Sequence, residues 1–199
     1  LVGSEMCIRD SVYTANEFVY DTPKNLCEKS VVISCSHSGN TPETVAATKL
    51  ARSKGAITIC LSNLEGSPLW EAAEYPVHYD WGKDVSDSDK NKGILYGLLF
   101  KLLGVLAADA KWDICFKELE KLTELSTKAK EQYDAQAKQW AKDNKRKKTI
   151  YTIGSGINYG EVYSTAMCWF MEMQWIHSSS IHSGEFFHGP FEITDKEVP

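Results

Sequence analysis

Several shortages bound this chain before any motif is considered. Its six cysteines, Cys7, Cys27, Cys35, Cys60, Cys115 and Cys168, include no CxxC pair. Disulfide frameworks belong to short secreted chains and zinc sites need paired ligands, so neither fits. Most of these thiols sit in apolar runs and are expected to be buried in a reducing compartment, the cytoplasm. Basic residues are also in deficit: 22 Lys and Arg against 27 Asp and Glu give a formal net charge of -5. That argues against nucleic acid as a partner, since phosphate backbones select basic surfaces. A small phosphorylated ligand needs only local donors and stays open. No apolar run reaches bilayer length; the best, GILYGLLFKLLGVLAADA (93–110), is short and carries Lys101. A buried core or interface helix is the expectation there, not a membrane span.

The two ends of the chain lack ordinary folding signals. LVGSEMCIRDS, at the start, has neither the apolar core of a signal peptide nor a clear helical or strand period. It resembles a translated sequencing adapter, and residues 1–11 are set aside as such an artefact. The last residues, DKEVP, follow a motif with no helix or strand to close a fold. An internal fragment, truncated at both ends, is the expectation.

What is present is mostly ordinary. At 199 residues, 43% hydrophobic and 25% charged, the composition suits a globular protein with a real core. VVISC (31–35) is a β-branched run, expected to form a buried strand, and a turn-rich SHSGNTPET follows it. TVAATKLARSKG (44–55) is helical in composition and stops on Gly55, a natural C-terminal cap. AITICLS (56–62) predicts the next strand, NLEGSPL (63–69) a loop, WEAAEY (70–75) a short helix and PVHYD (76–80) a third strand. This rhythm is that of a parallel α/β sheet. A polar loop (81–92) leads to the apolar helix at 93–110. Residues 116–144 predict one long charged helix with Phe116, Leu119, Leu122 and Leu125 along one face. TIYTIGSG (149–156) then predicts a strand and glycine turn, and 157–176 another helix, so the strand–turn–helix unit occurs twice.

SHSGNTPET carries the strongest chemical signal. It ends a strand and opens a helix, so first-turn N–H groups and the hydroxyls of Ser36, Ser38 and Thr41 are positioned to hold an anion. Gly39 lets the backbone approach a ligand closely. Asn40 or Thr41 also suits a plain helix N-cap ahead of Pro42, and the residues alone do not separate the two. GSG at 154–156 is weaker: Tyr159 stands where a dinucleotide fingerprint needs its third glycine, and no acidic residue ends a following strand. A nicotinamide site is rejected.

Near the C-terminus, MEMQWIHSSSIHSGEFFHGPFEI (171–193) gathers Glu172, His177, His182, Glu185, His188 and Glu192. The histidines are five and six residues apart, with none at i, i+4 on a helix, so no metal is expected. His177 and His182 are expected to cap or line a loop.

Strand–SxSGxT–helix, a second strand–GxG–helix ending in Glu, and then HGP together resemble the sugar isomerase (SIS) domain family. The resemblance implies an α/β fold with tandem SIS-type three-layer α/β/α subdomains and parallel sheets. It divides the chain into the C-terminal part of a first domain at 12–112, a connecting helix at 113–147 and the N-terminal part of a second domain at 148–199. It also implies that Ser36, Ser38 and Thr41 hold the phosphate of a sugar phosphate, with His37 where the isomerase domain of glucosamine-6-phosphate synthase has a ligand-contacting Gln. Glu172 and His188 fall at the interval that separates that enzyme's catalytic carboxylate from the His of HGP. The synthase lysine one turn before the carboxylate is absent, replaced by Trp169, which argues against a synthase-type isomerase. NEFVYDTPKNL (16–26), SHSGNTPETV, NYG, MEMQWIHS and EFFHGPFE are most similar to the fructosamine deglycase branch. Those enzymes split a 6-phosphorylated fructosamine into glucose 6-phosphate and an amine.

That chemistry needs one general base and one general acid, and no cofactor. Glu172 and His188 are the expected acid/base pair, with Glu185 in reserve. The apolar neighbours Trp169, Phe170, Met171, Met173 and Trp175 are expected to desolvate Glu172 and raise its pKa. The bland alternatives are a solvated or ion-paired Glu172 and a His188 satisfied by a backbone carbonyl. The family also implies a homo-oligomer, dimer or higher, and rival activities: an aldose–ketose isomerase, an aminosugar-phosphate deaminase, or a non-catalytic sugar-phosphate sensor.

Overall fold

The computed structural model describes residues 11–194; the adapter-like stretch, apart from Ser11, and the terminal DKEVP lie outside them. The chain forms two compact units, one running up to Lys128 and the other from Ala129. Both are α/β with parallel strands.

In the first unit α1 (Ala15–Tyr20) precedes β1 (Val31–Cys35), α2 (Pro42–Ser53), β2 (Ile57–Ser62), α3 (Pro68–Ala72) and β3 (Tyr75–His78). The strands form a parallel sheet in the order β1-β2-β3, with Val31 opposite Ile57 and Ile59 opposite Tyr75. Among the described strands VVISC lies at the edge of this sheet and is half-exposed, not the buried strand expected. The buried strand is β2: Thr58, Cys60, Leu61 and Ser62 are all at most 1% exposed. Burying Leu61 contributes roughly 2 kcal/mol. Around Cys60 pack Val45, Leu69, Ala72 and Ala73, while Phe18 of α1 closes a second cluster on Ala47, Ala51 and Ala56. The short helix starts two residues before the expected WEAAEY, because the Ser67 hydroxyl accepts from Trp70 N–H and Pro68 suits the first turn.

α4 (Asn91–Ala107) and α5 (Lys111–Glu118) follow as a helical pair. Phe100 stacks between Tyr96 and Trp112, and Lys101 ion-pairs with Asp113 at 2.9 Å while lying over the Phe116 ring. α4 is apolar all round, yet only Gly93 and Gly97 are fully buried, and Val105 is 81% exposed. Within this chain it is not the buried core helix that composition suggested. No helix of the described residues is long and apolar enough to cross a membrane. The single long helix expected over 116–144 is interrupted: a 3₁₀ turn at Leu119–Lys121 separates α5 from α6 (Leu122–Asn144). Phe116 therefore belongs to α5, and Leu125 is left 56% exposed.

The second unit carries β4 (Thr149–Gly154) and β5 (His177–His182), paired in parallel from Thr149–His177 to Gly154–His182. Residues 157–176 do not form one α-helix. A 3₁₀ turn (Gly156–Asn158) leads into α7 (Tyr159–Ser164) and then into nine π-helical residues, Thr165–Met173. Trp175 ends the segment in the left-handed region (φ 58°), with Ile176 N–H bonded to Phe170 O. HSSSIH, expected as loop, is strand β5; it is held by β4 and by the Ser178 hydroxyl donating to Ile150 O at 2.6 Å. A 3₁₀ segment (Ser183–His188) and α8 (Pro190–Ile193) close the described chain.

The cysteines also depart from expectation. Among those described only Cys60 is buried; Cys35 and Cys168 are exposed, and Cys27 and Cys115 lie between.

Candidate functional site

The turn between β1 and α2 is held by its own hydrogen bonds. Ser36 N–H donates to Leu61 O at 3.1 Å, anchoring the loop to the central strand. Gly39 N–H returns to Ser36 O at 3.2 Å, and Asn40 N–H donates to the Ser38 hydroxyl. Gly39 has φ +64°, and a Cβ there would lie 2.0 Å from Ser67 Oγ, so only glycine fits. Leu69 N–H donates to Gly39 O, tying the turn to α3.

The plain N-cap reading needs Thr41 or Asn40 to accept from α2, and neither does. Thr41 is the N-cap residue but makes no side-chain cap; its hydroxyl meets Ser36 Oγ at 2.8 Å. The Asn40 side chain donates to Ser38 O. Among the described residues the backbone N–H groups of His37, Ser38 and Thr41 have no partner. Unpaired donors, two adjacent hydroxyls and a helix start with Pro42 at its first position are the parts of an anion cradle.

Beside it lies a cavity of about 250 Å³ at the C-terminal end of the sheet, lined by Cys35, Ser36, His37 and Tyr79 with Asn91 and Lys92 of α4. Parallel α/β sheets bind ligands at this end because strand carboxyl ends and helix starts converge there. A larger hollow of about 370 Å³ beside α2 touches Asn40 and Lys49 but none of the loop hydroxyls, so the smaller cavity is the candidate site. Inside it His37 Nδ1 lies 2.9 Å from Tyr79 OH, and Trp81 presses edge-on to the imidazole at 5.2 Å. Tyr79 is buried, and desolvation, reinforced by Cys35, raises its phenol above the usual range. Its packing against His37 gave no sequence signal, because the two lie 42 residues apart.

In the second unit Gly154 allows α7 to close on β4: a Cβ there would meet Val162 Cγ2 at 2.5 Å. The first glycine of GSG thus serves packing. Glu172 sits near the end of the π-helical segment and is exposed. Its apolar neighbours do not desolvate it as expected, since Trp169 is 57%, Met173 59% and Trp175 90% exposed. His188 ends the 3₁₀ segment after β5 and is also exposed. Gly189 (φ +150°) and Pro190 at the start of α8 fix the backbone that presents it. No hydrogen bond or ion pair joins Glu172 to His188 among the described residues, and the strand between them in the chain is about 20 Å long. His182 caps the 3₁₀ segment by accepting from Gly184 N–H, and its ring lies 5.4 Å from that of Tyr159. His177 opens β5, and Glu185 stands exposed in the first turn after it. No group of three or more potential metal ligands occurs among the described residues.

Residues 9–99 match the family model of the SIS domain. The chain carries a SIS domain. Over 192 residues it is 48% identical to fructosamine deglycase FrlB of Bacillus subtilis (strain 168), covering 96% of this chain and 58% of that protein. It is 28% identical over 187 residues to fructoselysine 6-phosphate deglycase of Escherichia coli (strain K12), covering 92% of this chain and 53% of the enzyme. A B. subtilis crystal structure described as a candidate phosphosugar isomerase superposes with a TM-score of 0.92 at 49% identity, over 94% of this chain and 57% of that one. The α/β fold with parallel sheets is therefore that of SIS proteins. The chain spans a little over half the length of these relatives.

Proposed function

We propose that the protein is a fructosamine deglycase acting on 6-phosphorylated fructosamines, and that this chain supplies its phosphate cradle and its acid/base residues. The observation that carries the sugar-phosphate reading is the uncapped SHSGNT turn, whose unpaired N–H groups stand beside a cavity at the sheet's C-terminal end. The deglycase assignment draws on the 48% identity with the B. subtilis enzyme. The hydroxyls of Ser36, Ser38 and Thr41 and the His37 ring bind the phosphate dianion, which anchors the sugar at a point remote from the reacting carbons.

One of the pair Glu172 and His188 takes a proton from C1 of the open-chain ketoamine while the C2 oxygen gains one, giving the enaminol. The other returns a proton to C2, giving the C1 imine. Water then adds at C1 and expels the amine, leaving glucose 6-phosphate. Every step is a proton transfer or a hydration, so the reaction calls for no metal or redox cofactor. The active form is a homo-oligomer, a reading supported by the exposed apolar residues of α4, Tyr96, Val105 and Leu106.

The test is amine release by the full-length protein from a 6-phosphofructosamine, run beside glucosamine 6-phosphate and an aldose–ketose pair. Turnover of the phosphofructosamine alone is the expected result. Turnover confined to either of the others moves the protein to the deaminases or isomerases. Binding without turnover makes it a sensor.

A further inference from the structure

Tyr79 lies outside the loop that is assigned the phosphate, yet it makes the one hydrogen bond that orients a ring of that loop. Tyr79 is 3% exposed, and its hydroxyl pairs with His37 Nδ1 at 2.9 Å. No other partner for that hydroxyl occurs among the described residues. A buried O–H must donate somewhere or lose a hydrogen bond, so His37 Nδ1 is the acceptor. The neutral imidazole then carries its proton on Nε2. That nitrogen has no partner among the described residues, and His37 lines the cavity beside Ser36. Trp81, edge-on at 5.2 Å, restricts the ring from a second side, and Asn63 N–H holds the His37 carbonyl at 3.1 Å.

We propose that Tyr79 is a positioning residue that fixes the tautomer of His37, so that the neutral ring presents an Nε2–H donor to the phosphate of the substrate. This rests on the sugar-phosphate reading above. Without Tyr79 the neutral ring divides between two tautomers, and in one of them a lone pair faces the phosphate oxygens. Once the ring is protonated both nitrogens donate, and Tyr79 no longer matters. The dependence on Tyr79 is therefore a property of the neutral ring. Other ionisable groups around the cavity are Cys35 and Lys92. Although Cys35 as a residue is exposed, desolvation of its thiol, and then Cys60, raises it above its ordinary range. His78 of β3 pairs with Asp80 at 3.2 Å and Glu65 at 3.7 Å.

The test is calorimetric binding of glucose 6-phosphate to full-length wild type, Tyr79→Phe, His37→Gln and the double variant, at pH 8.0. Tyr79→Phe is expected to weaken binding about 5- to 10-fold. In the His37→Gln background, where the amide donor has no tautomer, Tyr79→Phe is expected to change little. An equal loss in both backgrounds shows a structural role and overturns the proposal, as does no loss at all. Failure of the wild type to bind glucose 6-phosphate overturns the sugar-phosphate reading itself. Should Tyr79→Phe not fold, the ¹⁵N shifts of the wild-type His37 ring at pH 8.0, assigned against His37→Gln, decide the question. A protonated Nε2 with a bare Nδ1 supports the proposal, and the reverse sinks it.

Discussion

The two strand–turn–helix units use the same local plan to different degrees of completion. In the first, β2 is covered on both sides, the turn after β1 is tied to it by Ser36 and to α3 by Gly39, and the cavity beside it has a defined wall. In the second, β4 has one partner strand, Ile150, Ala166 and Ile181 are the only fully buried apolar residues described, and the two candidate catalysts stand exposed. The difference teaches that a candidate binding loop can be finished locally. Its donors come from one turn and its support from the adjoining strand and helix. Acid/base residues need surroundings drawn from farther away to set their environment, and the described part of the second unit does not supply them.

Five substitutions bear on this contrast. The largest effect falls in the second unit. Glu172→Gln and His188→Ala are each expected to slow amine release by the full-length protein about 10²- to 10⁴-fold, with little change in unfolding midpoint, because both side chains are exposed. Near-wild-type turnover of both variants would break the assignment. Next comes Gly39→Ala in the first unit, expected to destabilise by about 2–4 kcal/mol in denaturant unfolding and to abolish sugar-phosphate binding. It combines a left-handed backbone with a Cβ forced onto Ser67. Ser36→Ala is expected to weaken glucose 6-phosphate binding about 10- to 100-fold, the worth of one hydrogen bond to a charged group, without shifting the melting temperature. The smallest effect is Gly156→Ala, at the corresponding turn after β4. Its φ is also positive (+59°), but a Cβ would meet nothing within 4 Å, so about 1 kcal/mol is expected. Equal costs at Gly39 and Gly156 would erase the distinction between a closed turn and an open one.

Much of the fold was legible residue by residue. VVISC, AITICLS and TIYTIG alternate or run apolar in lengths that only a strand uses, and they are β1, β2 and β4. Gly55 was readable as a stop because only a glycine easily takes its φ of +81° there. HSSSIH was not legible: three serines and one buried isoleucine carry no strand pattern, and pairing with β4 makes it one. The π-helical register of Thr165–Met173 was hidden too, since one composition suits i→i+4 and i→i+5 bonding alike. The Phe116–Leu125 stripe was misleading for the converse reason. Its spacing is helical on both sides of the 3₁₀ turn, which changes the helix axis but not the pattern.

The sequence by itself determined the parallel α/β class and marked the SHSGNT turn as a candidate anion loop, because glycine conformations and apolar periods are local properties. Only the tertiary structure decided that Thr41 turns to Ser36 rather than capping α2, that VVISC lies at the edge of the described sheet, that Glu172 is exposed, and that a buried phenol 42 residues away meets His37. Each of these depends on which distant segments meet, and burial and hydrogen-bond partnership exist only once they have met.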